Sequence, residues 1–413
     1  MKLEEIKLGE VLNVKRGTSL SGKYYDTKGT KIRLTLGNFN YPLGGFKNNT
    51  SKLNIYFNGP VKDEFILKKG DVITPLTEQV KGLLGETARI PKSDVYIQSG
   101  DIGLLIPDEK KLDKSYMYHL ISSAIIKNQL SKGAQQTKIR HTSPDKIKDC
   151  VAWIPDLNIQ QKVGSFLDDI DLKIANNNAI SKELESMSKT IYDYWFLQFE
   201  FPDKDGKPYK SNGGKMVWND QLKQEIPEGW EVGTLDQLFQ ITMGTSPKGD
   251  TLNQDANGIE FYQGSTDFGR FYPRARVYTT KPIKMVKSRE VLLSVRAPVG
   301  AMNFSQNDCC IGRGLAGIHY DVSPIFAWNK LKSMQNYFDI FNNNGTTFGS
   351  LTSEMLNKLV VIIPDINVIK LYAKKTNVIE QQIKINHSEN QQLKSLRGFL
   401  LPLLMNSQVK ISD

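Results

Sequence analysis

Cysteine is scarce: Cys150, Cys309 and Cys310 are the whole complement in 413 residues. Two of them are adjacent and none belongs to a Cys-x-x-Cys pair, so neither a disulfide framework nor a thiolate metal site is read. A reducing cytoplasm fits. The four histidines, His119, His141, His319 and His387, are scattered with no metal-ligand spacing. Long apolar runs are missing too. Leu359 to Ile363 is among the longest, far short of a bilayer span. The opening MKLEEIKLGE has three glutamates and no apolar core, so no secretory signal is expected.

Catalytic signatures are also missing. There is no strand-Gly-x-Gly-x-x-Gly-helix unit, Walker loop, Gly-x-Ser-x-Gly elbow or zinc signature. The Asn-Pro-Pro-aromatic and Asp-Pro-Pro-aromatic runs used by amino-methyltransferases are absent. PDLNIQQK (155–162) has the outline of a nuclease Pro-Asp…Gln-x-Lys motif, but its counterpart PDINVIKLY (364–372) loses it. The shared feature is therefore the Pro-Asp turn, read as the start of a helix.

What the chain does contain is a duplication. RGTSLSG and MGTSPKG pair Gly17 with Gly244, an offset of 227. GDVITPL and REVLLSV pair Val72 with Val291, an offset of 219. IQSGDIGLLI and IGRGLAGIHY align at 214, pairing Gly100 with Gly314 and Arg313 with Ser99. The Pro155-Asp156 turn recurs at Pro364-Asp365, an offset of 209. The offset only falls, so the same module is written twice with shorter loops the second time. A length of 413 residues asks for two or more cores in any case.

Each copy begins with about 150 residues of short apolar runs broken by Gly, Pro and Asn, a β-rich pattern with some helix. One helix per copy is expected, over 116–130 and 326–341. A long helix then follows. Ile159, Val163, Phe166, Ile170, Ile174, Ile180, Leu184, Met187, Ile191 and Tyr194 step mostly by three and four in the first. Val368, Tyr372, Ile379, Ile383, Leu393, Leu396, Leu400 and Leu403 do so in the second. That is a coiled-coil seam, with Asn177 and Asn386 at matching polar positions that would fix register. Forty helical residues span roughly 60 Å, so each helix needs a partner, and the obvious one is its twin. The polar connector 200–230 is long enough to return the chain. An antiparallel pair with a pseudo-twofold axis is expected.

Net charge is +10, which permits a polyanionic partner. Residues 266–300 hold eight Lys and Arg with Phe268, Phe271, Tyr272 and Tyr278 interleaved. A second cluster surrounds GAQQTKIRHTS (133–143). Basic loops of this kind bind phosphates, and Arg, Asn and Gln in them can read base edges. Arg296 in SVRAPVG and Arg313 in IGRGLAG stand out, since each ends an apolar strand beside Pro or Gly.

IPEGWEVGTLDQLFQITMGTSPKG, LLSVRAPVGAMN, CCIGRGLAGIHY, VIIPDINVIKLY and the terminal QQLKSLRGFLLPLLM together resemble the specificity subunit of type I restriction–modification enzymes. The first copy is a looser match, lacking the IPxGW lead-in. The resemblance implies an α+β chain with two tandem α/β target-recognition domains, 1–155 and 230–364. Spacer helices at 156–199 and 365–406 and a connector at 200–229 complete it. It implies double-stranded DNA as ligand, read as a split site. Two methyltransferase (M) subunits and restriction (R) subunits are the implied partners; they use S-adenosylmethionine, ATP and Mg²⁺, and this chain holds no cofactor or metal and has no catalytic role. The candidate DNA contacts are Arg16, Thr18, Ser19, Lys23, Gln79, Lys81, Lys138, Arg140 and His141 in the first copy. In the second they are Thr245, Ser246, Lys248, Arg270, Arg274, Arg276, Arg296, Arg313, Thr346 and Thr347. The seam candidates are Ile170, Ile174, Asn177, Leu184, Ile191, Ile379, Ile383, Asn386, Leu393 and Leu400. The alternative is a self-contained DNA-modifying or DNA-cleaving enzyme; a third reading is a scaffold that uses the coiled coil alone.

Overall fold

The computed structural model describes residues 3–41, 44–78, 80–133, 140–343, 350–405 and 408–409. Two compact units divide the chain: Met1–Asn176 with Asn390–Asp413, and Asn177–Glu389. Both boundaries fall inside the long helices, Leu157–Tyr192 and Ile366–Met405.

The two copies carry the same strands in the same pairing. In the first, Leu12–Arg16, Ile102–Pro107, Val72–Pro75 and Ala88–Arg89 form a four-stranded antiparallel sheet. In the second, Gln240–Met243, Leu315–His319, Val291–Ser294 and Met302–Phe304 repeat it. A mixed sheet of short strands follows in each, four-stranded in the first copy and five-stranded in the second, with the parallel pair Ile32–Arg33 and Tyr96–Ile97 matched by Ile259–Tyr262 and Cys309–Ile311. The first strand of each copy, Glu4–Lys7 or Glu231–Thr234, pairs with the strand that leads into the long helix.

Each long helix starts at the repeated Pro-Asp turn because the aspartate caps it. Asp156 accepts the Ile159 amide (3.1 Å) and Asp365 the Asn367 amide (2.7 Å), satisfying donors that the first turn leaves open. Within the second unit the helices run antiparallel, with Asn177 on Glu389, Ser181 on Asn386 and Ser188 on Tyr372. In the first unit Asp171 meets Arg397, 2.9 Å apart, and Val163, Leu167 and Leu404 share one core cluster. Ile170, Asn177, Ile379, Ile383 and Asn386 are buried, and Ile174, Leu184, Ile191, Leu393 and Leu400 half-buried.

The seam differs from the apolar pattern at several positions. Ile180, Met187, Tyr194 and Leu396 are between 40% and 54% exposed. Ser181, Ser188, Trp195 and Asn390 are buried in place of their neighbours. The spacing 163, 167, 170, 174, 177, 181, 184, 188, 191, 195 alternates strictly between four and three, as does 369 to 404 in the partner helix. Small polar residues tolerate the seam because each is satisfied locally: Ser181 donates to the Asn177 carbonyl and Ser188 to that of Glu185.

One further expectation is corrected. The single module helices are split pairs, Lys114–Ile121 with Ala124–Gly133 and Pro324–Ser333 with Gln335–Asn343. At both breaks a serine hydroxyl, Ser122 or Ser333, donates to the carbonyl three residues back. The connector carries structure of its own. It forms the hairpin Met216–Asn219 with Gln224–Pro227, and Phe201 stacks between Tyr209 and Trp230 at 4.6 and 5.0 Å. The first helix ends in a wider turn, Asp193–Leu197, that buries Trp195 and Phe196. No helix among the described residues is long and apolar enough to cross a membrane.

In the first unit, Asp168 of the long helix receives His119 at 2.8 Å and Arg89 at 2.9 Å, both from the first copy. Burial alone would raise the Asp168 carboxyl, but these hydrogen bonds hold it down to about 2. Burial in turn pushes His119 below the usual histidine range, against the pull of its hydrogen bond to Asp168. A carboxylate depressed in the fold adds stability above its ordinary value and loses it as pH falls through the depressed one. Asp168→Asn is therefore expected to lower unfolding free energy by on the order of 2 kcal/mol at neutral pH. In denaturant titrations the gap from the parent chain should close as pH falls from 3.8 toward 2; a gap independent of pH would contradict the assignment.

Candidate nucleic-acid interface

The loops that carry the candidate contacts are held by one backbone arrangement, present in both copies. The chain leaving Leu12–Arg16 turns at Gly17, whose amide bonds the Ile102 carbonyl, while the Thr18 amide bonds that of Gln98. Gly244 and Thr245 do the same with Leu315 and Ile311. A Cβ on Gly17 would lie 2.2 Å from the Ser99 oxygen, and one on Gly244 would lie 2.2 Å from the Gly312 oxygen. Neither position tolerates a side chain, which is why the Gly-Thr-Ser motif recurs.

These bonds reset the alignment. Gln98 corresponds to Ile311 and Ile102 to Leu315, an offset of 213 and not 214. Strand register agrees: Gly103 faces Arg16 and Ala316 faces Met243. The matched glycines were a one-residue slip, which on a strand exchanges faces. Arg313 thus takes the place of Gly100, not of Ser99.

In the first copy Arg16 is exposed and its Nε donates to the Gly100 carbonyl (2.8 Å). Thr18 is half-buried, bridged to Ser99. Ser19, Lys23, Lys81 and His141 are exposed. The Lys23 ammonium lies 4.7 Å from the Tyr24 ring centre, and His141 Nδ1 is 3.4 Å from the Thr77 hydroxyl. Arg140 faces the buried Glu78 carboxylate at 3.6 Å. Glu78 also accepts the Gly82 and Leu84 amides, so it pins the loop that carries Lys81. Gln79, Lys138, Thr346 and Thr347 lie outside the described residues.

In the second copy Thr245 and Lys248 are exposed and Ser246 is half-buried. The Ser246 hydroxyl donates to Gln263 Oε1 (3.0 Å) and accepts the Arg313 amide (3.4 Å). The arginines divide into two groups. Arg270 faces Glu185 of the first long helix at 3.7 Å, and Arg276 pairs with Asp267. Arg274, Arg296 and Arg313 are exposed, with no carboxylate partner among the described residues. Arg289, from the same basic run, reaches the buried Glu380 at 2.9 Å and holds the second long helix. The fold thus brings residues 244–246, 263–264, 295–296 and 312–314 together and turns part of the basic run inward. It also adds Gln263, an exposed side chain at the end of Ile259–Tyr262. The sequence clue was a polar amide before glycine at the end of an apolar run.

No group of His, Cys, Asp and Glu among the described residues could hold a metal ion. Burial pushes the Cys150 thiol up to about 11 and Cys309 upward as well, away from a reactive thiolate.

A duplicated scaffold with unlike loops and an exchanged helix pair defines the class. The family model for the type I restriction modification DNA specificity domain matches residues 2–186 and again 227–395, and the chain belongs to that family. Specificity subunits of such systems are non-catalytic, which replaces the alternative of a self-contained enzyme. The chain is 29% identical over 329 residues to the putative type I restriction enzyme MjaX specificity subunit of Methanocaldococcus jannaschii, covering 78% of this chain and 74% of that one. It is 23% identical to the type I restriction enzyme HindI specificity subunit of Haemophilus influenzae, over 64% of this chain and 70% of that one. In fold it resembles the crystal structure of a type I restriction–modification system S subunit from M. genitalium, with a TM-score of 0.60 at 13% identity, covering 98% and 96% of the two chains.

If ion pairing sorts the arginines, their loss should differ in kind. Arg296→Ala is expected to weaken duplex DNA binding 10-fold or more, whereas Arg276→Ala should change it less than about threefold. Titrations at two salt concentrations would measure both; equal losses would contradict the sorting.

Proposed function

We propose that this chain is the DNA-reading subunit of a type I restriction–modification complex. Each copy reads one half of a split duplex site. The domain limits are 1–155 and 230–364, spacer helices run over 156–199 and 365–406, and 200–229 connects them. The observation that carries the reading is a scaffold conserved to single hydrogen bonds between the copies, while the loops on it differ. Where Arg296 stands in one copy, Thr77 stands in the other. Shared geometry with unlike side chains is what two readers of different sequences require. The candidate contacts named above would supply phosphate and base bonds in proportions the loops decide.

The helix pair sets the spacing between half-sites and docks two methyltransferase subunits; restriction subunits join that assembly. Their S-adenosylmethionine, ATP and Mg²⁺ chemistry lies outside this chain, and the cytoplasm is where the complex meets DNA. An apolar stripe supports the docking. Leu371, Val378 and Ile385 are 38–62% exposed and recur every seven residues, as do Ile180, Met187 and Tyr194 on the other helix. A heptad stripe left open on a helix pair fits further helices packed against it.

Two alterations test the proposal. Replacing residues 1–150 by those of a relative should change one half-site and leave the other. Removing one heptad from each helix should shorten the preferred spacer by about three base pairs, since seven residues rise ~10 Å and a base pair ~3.4 Å. Selection from duplex libraries reads both. A change in both halves on module exchange, or an unchanged spacer on deletion, would sink the corresponding part.

A further inference from the structure

The segment Ile311–Leu315 is tied down on every side. The Thr245 amide bonds the Ile311 carbonyl, the Gly312 amide bonds Tyr262, and the Gly314 amide bonds Gln263. The Val295 amide bonds the Gly314 carbonyl, and Gly244 that of Leu315. Gly314 has no room for a side chain, since a Cβ there would lie 2.6 Å from the Gln263 carbonyl oxygen, and one at Gly312 would press on the Gln263 side chain at 2.7 Å. Between them Arg313 is exposed. Its own amide rests on the Ser246 hydroxyl, which also holds the Gln263 side chain. The platform therefore projects one long side chain to solvent.

We propose that Arg313 is a specificity-determining residue that reads a guanine in the half-site bound by the second copy. This rests on the DNA-reading function proposed above. Two observations and one general difference between phosphate and base contacts point to base reading. The guanidinium carries no carboxylate partner among the described residues, unlike Arg270, Arg276 and Arg289. Its backbone is fixed by bonds from three segments, 244–246, 262–263 and 295, so a bidentate geometry costs little ordering on binding. Phosphate contacts need charge but little precision; guanine O6 and N7 need a fork held in place. The first copy has Gly100 at this position, and there the Arg16 side chain caps the carbonyl. Guanine reading by this route is thus confined to one half of the site.

The test uses the full chain and a random duplex library. Selection with the parent chain defines both half-sites. Arg313→Ala and Arg313→Lys are then compared with it, with thermal unfolding run alongside to show that the fold is kept. The expected result is a loss of preference for guanine at one position of one half-site, by roughly 10- to 100-fold, with the other half unchanged. Arg313→Lys should lose it too, because the charge remains but the fork does not. Uniform weakening across all sequences, with the salt slope reduced by about one and restored in Arg313→Lys, would mark a phosphate contact and overturn the proposal. An unchanged motif would also overturn it. Failure of the parent chain to select any half-site would instead bring down the DNA-reading function and this inference with it.

Discussion

Neither copy closes its own core. Leu400, Leu401, Leu404 and Met405, from the helix of the second copy, complete the cluster that contains Leu12, Tyr116 and Ile154 of the first. In return Leu184, Ile191, Tyr192, Trp195 and Phe196, from the helix of the first, complete the cluster around Phe326, Leu293 and Tyr372 of the second. Burial of apolar side chains is the main favourable contribution to folding, and here it is reciprocal. Each long helix serves its own copy at one end and the other copy at the opposite end. The fold thus makes the helix pair obligatory. Ion pairs add direction to that burial, through Asp168 in the first unit and Glu380 in the second.

The twin positions show how one scaffold is kept while local chemistry diverges. Gly17 and Gly244 both lie where a carbonyl leaves no space, so both stay glycine. Gly70 and Arg289 are twins at the offset of 219, and both adopt positive φ, 86° and 74°. Glycine does this without cost, whereas arginine does it under strain. The Arg289 side chain offsets that strain by bonding the buried Glu380. Asp171 is the twin of Glu380 and takes Arg397 from the other helix instead. Equivalent acids are thus paired with arginines from different elements.

Much of this was legible in the residues. The descending offsets carried the duplication, the three-four spacing carried the helices, and the Pro-Asp turns are their caps. The failures have physical causes. Glycines drew the alignment of Ile97–Gly103 one residue out of register, because identity at glycine says nothing about which strand face is buried. Hydrophobicity misplaced part of the seam because Ser181 and Ser188 satisfy their own hydroxyls and pack as small residues. The connector's aromatic stack was not legible, because it is built from residues distant in sequence, Phe201, Tyr209 and Trp230. For the interface, charge pointed to the right stretch but could not separate the arginines. Arg270, Arg276 and Arg289 face acids whose proximity only the fold creates.

The central claim is that a non-catalytic chain reads two separate DNA half-sites and directs methylation to them. It is tested most directly by mapping methylated adenines across the genome that carries this gene, with and without the gene intact. The account predicts one bipartite motif, two short specific segments around an unspecified spacer, methylated in the parent and lost from the deletion strain. A continuous motif, or a methylation pattern that survives the deletion unchanged, would contradict it.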